Sequence, residues 1–184
     1  RLQGDWSSDV CSSDLSPGLK EIQDFRTCVE ATHVTWLMDS GMFGTKQTAE
    51  RRARAEEQVR RMGYEFHCPR VTLGQVSHGK LTVELVLENR GVAPFYQDWR
   101  PEWGLLADGK VVATYVGRGR LTGLLPGDPP RVWMETIEVS GATPGKYTLA
   151  VRVPNPLKGG KPIRFANEVQ AADGWLVLGT GAVP

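Results

Sequence analysis

The residues best suited to chemistry lie together between Phe95 and Trp103, where Tyr96, Trp99 and Trp103 interleave with Gln97, Asp98, Arg100 and Glu102. Flat rings stack on the C–H faces of sugars while amide, carboxylate and guanidinium groups take the hydroxyls, so the composition suits a carbohydrate. The same residues suit a second role, because large aromatics in a long inter-strand connection also seal the end of a sandwich or a domain interface. Packing is the favoured reading of the pair. Exposure separates them: rings coplanar and outward bind, rings turned inward pack.

Cleaving a glycosidic bond asks for more, namely two carboxyl groups facing each other across it, one protonated and one ionised. The sequence offers no such pair with local support. It also holds no Gly-rich phosphate loop and no Gly-x-Ser-x-Gly elbow. His67 and His78 lack partners at metal-ligand spacing, so neither a metal nor another cofactor is expected. Cys28 and Cys68 carry no Cys-x-x-Cys spacing; they can pair, but residues of this kind are more often small buried hydrophobes.

Composition narrows the partners. Asp5 to Leu15, a Ser/Asp-rich stretch without periodicity, looks like the in-frame translation of a sequencing adapter, the alternative being a natural Ser/Asp linker. On that reading residues 1–15 are a leader to be set aside, and the natural sequence starts near Ser16 with its upstream part lost. Removing Arg1 and the three aspartates of that leader moves the formal net charge from +1 to +3. So small a balance argues against a nucleic-acid surface. Arg51-Arg52-Ala53-Arg54 reads instead as a solvated helix face, and Gly117-Arg118-Gly119-Arg120 is too short for a nucleic-acid tract. No apolar run is long enough to cross a bilayer, so no membrane partner is expected.

Two hydrophobic periods organise the rest. In residues 16–63, Ser16 and Pro17 cap a helix striped by Leu19, Ile22, Phe25 and Val29. His33 to Met38 reads as a short strand buried on both faces, ending at Asp39-Ser40-Gly41. A second helix runs from about Thr45 to Met62, packing through Ala49, Ala53, Val59 and Met62. Glu50/Arg54, Glu56/Arg60 and Glu57/Arg61 stand at ion-pair spacing, and Gly63 is the stop. From 64 to 184 the period becomes two. Leu81, Val83, Leu85 and Leu87 point one way and Thr82, Glu84, Val86 and Glu88 the other. Asp108-Gly109 marks a tight hairpin between Leu105-Leu106 and Val111-Val112. About seven short strands with Pro/Gly turns indicate an antiparallel β-sandwich of immunoglobulin-like type. Trp133 and Trp175 are expected to pack, and Arg164 and Glu168 to form a structural ion pair.

Several stretches in fixed order carry a resemblance. They are His33-Val34-Thr35-Trp36-Leu37, Arg61-Met62-Gly63-Tyr64-Glu65-Phe66, Glu88 to Tyr96, Leu125-Pro126-Gly127-Asp128, Arg164-Phe165-Ala166-Asn167-Glu168, and Asp173 to Gly179. The chain resembles the C-terminal end of an uncharacterised bacterial family similar to glycoside hydrolases, a (β/α)8 barrel followed by a β-sandwich. The resemblance implies a mainly β chain, in which residues 16–63 are the helix–strand–helix remnant of a TIM-type barrel and 64–184 the sandwich. It implies an extracellular or periplasmic parent whose missing N-terminal barrel partners this piece. It also implies that His33 and Asp39 line a sugar site in that parent, although the family pattern has Asn where this chain has Asp39. The readings to be weighed are an accessory, non-catalytic sandwich of a carbohydrate-active protein, a carbohydrate-binding module, and an immunoglobulin-like spacer or adhesion domain.

Overall fold

The structure is a computed structural model that describes residues 25–36 and 48–183, Arg51 through its backbone only. The chain divides into two compact units, one drawn from the residues up to Tyr64 together with Gly91–Pro94, the other from 65–90 and 95–183.

In the first unit, helix α1 spans Phe25–Thr32 and helix α2 spans Ala49–Val59. Phe25 and Val29, one turn apart on α1, bury against Ala55 of α2, with Val34, Met62 and Val92 packed around them. Helix α1 ends where the sequence changes character. Thr32 folds its hydroxyl back onto the Cys28 carbonyl at 2.7 Å, and His33 takes a left-handed φ of 51°. A residue in that region cannot continue a right-handed helix and turns the chain away.

This turn corrects the reading of His33 to Met38 as a strand. Its described part, His33 to Trp36, is turn and bend, and Trp36 is 71 % exposed. The Val34 carbonyl accepts a hydrogen bond from the Gly63 amide at 2.9 Å rather than entering a ladder. Leu37, Met38 and Asp39 lie outside the described residues. Helix α2 also differs in its packed side: Ala55 is fully buried while Ala53 is exposed. Glu57 pairs with Arg61 at 3.2 Å as expected, whereas Glu56 pairs back to Arg52 at 3.0 Å. Both pairs are exposed, a geometry in which each adds only about 0.3–0.5 kcal/mol.

The second unit is a β-sandwich. Its strands are β1 (Phe66–Leu73), β2 (Lys80–Asn89), β3 (Glu102–Ala107), β4 (Lys110–Val116), β5 (Arg131–Glu138), β6 (Gly145–Arg152) and β7 (Leu176–Val183). They form two antiparallel sheets, ordered β1-β2-β5 and β4-β3-β6-β7. Val83, Leu85 and Leu87 of β2 are fully buried, and Trp133 and Ile137 of β5 join them on the inner face. Trp103 and Leu105 of β3 and Leu149 and Val151 of β6 are buried from the other sheet. Burying each such side chain stabilises the fold by roughly 1.5–3 kcal/mol before ordering costs. Asp108 and Gly109 both hold positive φ, 48° and 75°, which joins β3 to β4 through the turn whose twist matches the strands.

Polar side chains fasten the long loop from β6 to β7, which are antiparallel neighbours in one sheet. Gln170 is buried, accepts the Phe165 amide at 2.7 Å and donates to the Ile163 and Gly174 carbonyls at 3.0 and 2.7 Å. Asn167 reaches the β1 edge, taking the Cys68 amide at 3.0 Å and giving to the Cys68 carbonyl at 2.9 Å. It thereby supplies ladder bonds beside Pro69, where β1 slips register against β2. Arg164 donates to the Ala171 carbonyl at 2.9 Å; among the described residues it makes no ion pair with Glu168.

Candidate functional site

The segment from Phe95 to Trp103 is positioned by β3, which starts inside it at Glu102. Register then dictates which way the aromatics point. Trp103 sits opposite Tyr115 on β4 and Val151 on β6, places its ring in the core and is 1 % exposed. Phe95 is buried as well, edge-on to Phe66 with ring centroids 6.1 Å apart. Trp99 meets Phe95 edge-to-face at 5.2 Å and is half-buried. Only Tyr96 of the three sugar-platform candidates is open to solvent, 68 % exposed. Tyr96, Trp99 and Trp103 therefore do not form a common outward surface. The structure brings Trp99 and Trp103 into packing and leaves Tyr96 apart.

The polar partners of the segment are engaged with arginines. Asp98 is ion-paired with Arg120 and lies 4.0 Å from Arg100. The hydrogen bond from Arg120 holds its carboxyl below the usual aspartate range. Glu102 is paired with Arg152 at 2.7 Å, and the Arg152 guanidinium lies 4.4 Å over the ring of Trp175. Trp175 in turn rests on Gly104, where an added Cβ would stand 2.7 Å from the ring.

A second arrangement was not legible as a site in the sequence. Residues 117–120 run over the indoles of β3 and β5 through two glycines: a Cβ on Gly117 would stand 2.4 Å from Trp103 Nε1, and one on Gly119 would stand 2.4 Å from the Trp133 ring. The carboxylate of Glu135, on the inner face of β5 and 7 % exposed, accepts the backbone amides of Arg118 and Gly119 at 2.5 and 2.9 Å. The only sequence signal for it was a glutamate at an inward-phase position of β5.

His33 lies in the first unit, where its Nδ1 is 2.7 Å from the Val92 carbonyl and its side chain is exposed. That contact gives it a structural partner; Asp39, the residue paired with it in the sequence reading, lies outside the described residues. Cys28 is half-buried and Cys68 is buried. Burial pushes the Cys68 thiol up to about 11, which removes it as a nucleophile at neutral pH. Among the described residues no group of three His, Cys, Asp or Glu side chains could hold a metal ion, and no helix is long and apolar enough to cross a membrane.

Neither a comparison with protein-family models nor one with curated proteins finds a match to this chain.

One charged cluster remains, on the outer face of the three-stranded sheet. Glu88 of β2 accepts Arg90 Nε at 2.6 Å and stands 2.9 Å from Nδ1 of His67, its cross-strand neighbour on β1. Arg90 first, then His67, hold the Glu88 carboxyl below its ordinary value of 4.5. A general acid for glycoside cleavage needs the opposite shift. The cluster is thus a cross-strand tie, with a pH signature. Because the folded carboxyl is the stronger acid, its stabilisation is present above about pH 4.5 and is lost as the pH falls through the folded value. Urea melts between pH 6 and pH 3 are expected to show a shallower acid limb for Glu88→Gln than for the parent chain. Identical limbs would remove the role.

Proposed function

We propose that this chain is an accessory, non-catalytic β-sandwich of immunoglobulin-like type belonging to a larger, secreted carbohydrate-active protein, with its first unit the end of that protein's barrel. One observation carries the non-catalytic, non-binding part: the aromatics that would stack on sugar are used in packing, Trp103 within the core and Trp99 against Phe95. The immunoglobulin-like assignment is supported by strand order, with strands one, two and five in one sheet and three, six and seven in the other, the fourth lying beside the third. The assignment to a carbohydrate-active, secreted parent rests on the resemblance of motifs in order along the chain. So does the barrel origin of the first unit, whose described residues supply helices and no strand.

The test is to titrate the purified chain with soluble xylan, β-glucans, chitooligosaccharides and peptidoglycan fragments, following tryptophan fluorescence and release of reducing ends. No saturable quenching and no sugar release are expected. Quenching that disappears in Tyr96→Ala or Trp99→Ala would put a binding module in place of the accessory role. Turnover by the chain alone would overturn its non-catalytic assignment.

A further inference from the structure

The sandwich is not filled at one end. A cavity of about 440 Å³ lies between the sheets, walled by Leu73, Leu81, Leu105, Leu149 and Tyr147, with Gln75 as its main polar side chain. Its cause can be read from the register of β7. Gly179 stands opposite Leu149 and Gly181 opposite Tyr147, and directly paired residues share a face of the sheet. Two successive inner positions of β7 therefore carry no side chain. At Gly179 the space is limited, since a Cβ would approach Leu73 Cδ1 to 3.0 Å; at Gly181 a Cβ would meet nothing within 4 Å. Neither glycine holds a positive φ. Gly181 is thus required neither by its backbone nor by its neighbours, in a strand interior where glycine is unfavourable. Strand glycines occur at bulges, at bends and where a ligand or another backbone approaches closely, and Gly181 faces open space.

We infer that this cavity binds a neutral, linear aliphatic molecule, its chain between the sheets and an uncharged polar end at Gln75. The inference stands independently of the proposed accessory role. The volume lies within the range of ligand sites, and is roughly three times the ~150 Å³ that holds one benzene. Sheets packed about 10 Å apart leave a layer one side chain thick, which fits an extended chain better than a bulky ring system. The walls are mainly aliphatic. Among the described residues no Lys, Arg, His, Asp or Glu lines the space, so a charged end finds no partner among them.

The whole chain, labelled with carbon-13 in Leu and Val methyls, should be titrated with n-octanol, n-decanol, n-dodecanol and decanoate at pH 8. Shifts confined to the methyls of Leu73, Val76, Leu81, Leu105, Leu149 and Val183 are expected. Affinity should rise about fourfold per added methylene until the cavity is full. Decanoate should bind at least roughly tenfold more weakly than decanol. Gly181→Leu, whose side chain enters the space, should abolish the shifts without lowering the melting temperature; Gly181→Val serves should the leucine variant fail to fold. Absence of shifts with every alcohol, or binding unchanged in a folded Gly181 variant, would overturn the site. Decanoate binding as tight as decanol would overturn the neutral end.

Discussion

Replacing Trp103 with alanine is expected to lower the unfolding free energy by about 3–5 kcal/mol, the usual cost of emptying a buried indole site. The side chain is 1 % exposed, sits between Tyr115 and Val151 in the four-stranded sheet, and lies beneath Gly117. A domain with about 5–15 kcal/mol in total would be left near the edge of folding. A surface sugar platform predicts the reverse, a change within about 0.5 kcal/mol and a lost ligand. The measurement is a urea melt with m unchanged, so that the shift in midpoint reports stability alone. Trp103→Phe adds a control. The indole Nε1 is buried and has no hydrogen-bond partner among the described residues, so phenylalanine removes an unsatisfied donor along with some volume and should cost well under half as much. A loss below about 1 kcal/mol for Trp103→Ala would return Trp103 to the surface and reopen the binding reading.

Much of the sandwich was legible because its strands state their period plainly. Leu81 to Leu87 alternate, and Val83, Leu85 and Leu87 of the inner phase bury fully, while Val86 of the outer phase is buried as well and Leu81 only half-buried. Asp108-Gly109 announces its hairpin because few residue pairs tolerate two successive positive φ values. The aromatic segment was less legible. Tyr96, Trp99 and Trp103 look equivalent as residue types, and what separates them is that β3 begins at Glu102 and turns Trp103 inward. That boundary is set by pairing with β4 and β6, far along the chain, and no local spacing encodes it.

The first unit shows the same limit from the helical side. His33 to Met38 has the composition of a buried strand, yet His33 adopts a left-handed φ at the end of α1 and the chain turns there. Composition records what a segment could bury, while the preceding helix decides whether it can lie extended. Polar groups inside the fold were the hardest to foresee. Gln170, Asn167 and Asn89 are ordinary loop or strand-end residues in the sequence. In the structure each closes backbone groups that would otherwise be unpaired: Asn89 links the Glu65 amide to the Leu124 carbonyl at 3.1 Å each.

Glu135 is the residue where these arguments meet. Its removal in Glu135→Ala is expected to cost about 3 kcal/mol, because two amides of the 117–120 segment then lose a charged acceptor in a largely buried site. The loss should be local in origin. Gly117 and Gly119 keep that segment close to Trp103 and Trp133 only while Arg118 and Gly119 donate to the carboxylate. Both amides donate to the same oxygen, Oε1, so Glu135→Gln keeps that acceptor and loses only its charge, and less than half the loss is expected there. Urea melts give the free energies, and hydrogen exchange at Arg118 and Gly119 gives the place, with protection falling in both variants and furthest in alanine. A neutral Glu135→Ala with those two amides still protected would show that the strap is held by the tryptophans alone. The expected outcome bears on chemistry too, since a largely buried carboxylate whose Oε1 already accepts two backbone donors is committed to the loop. The acidic residue most deeply placed in the sandwich is then a fastening for the loop above it.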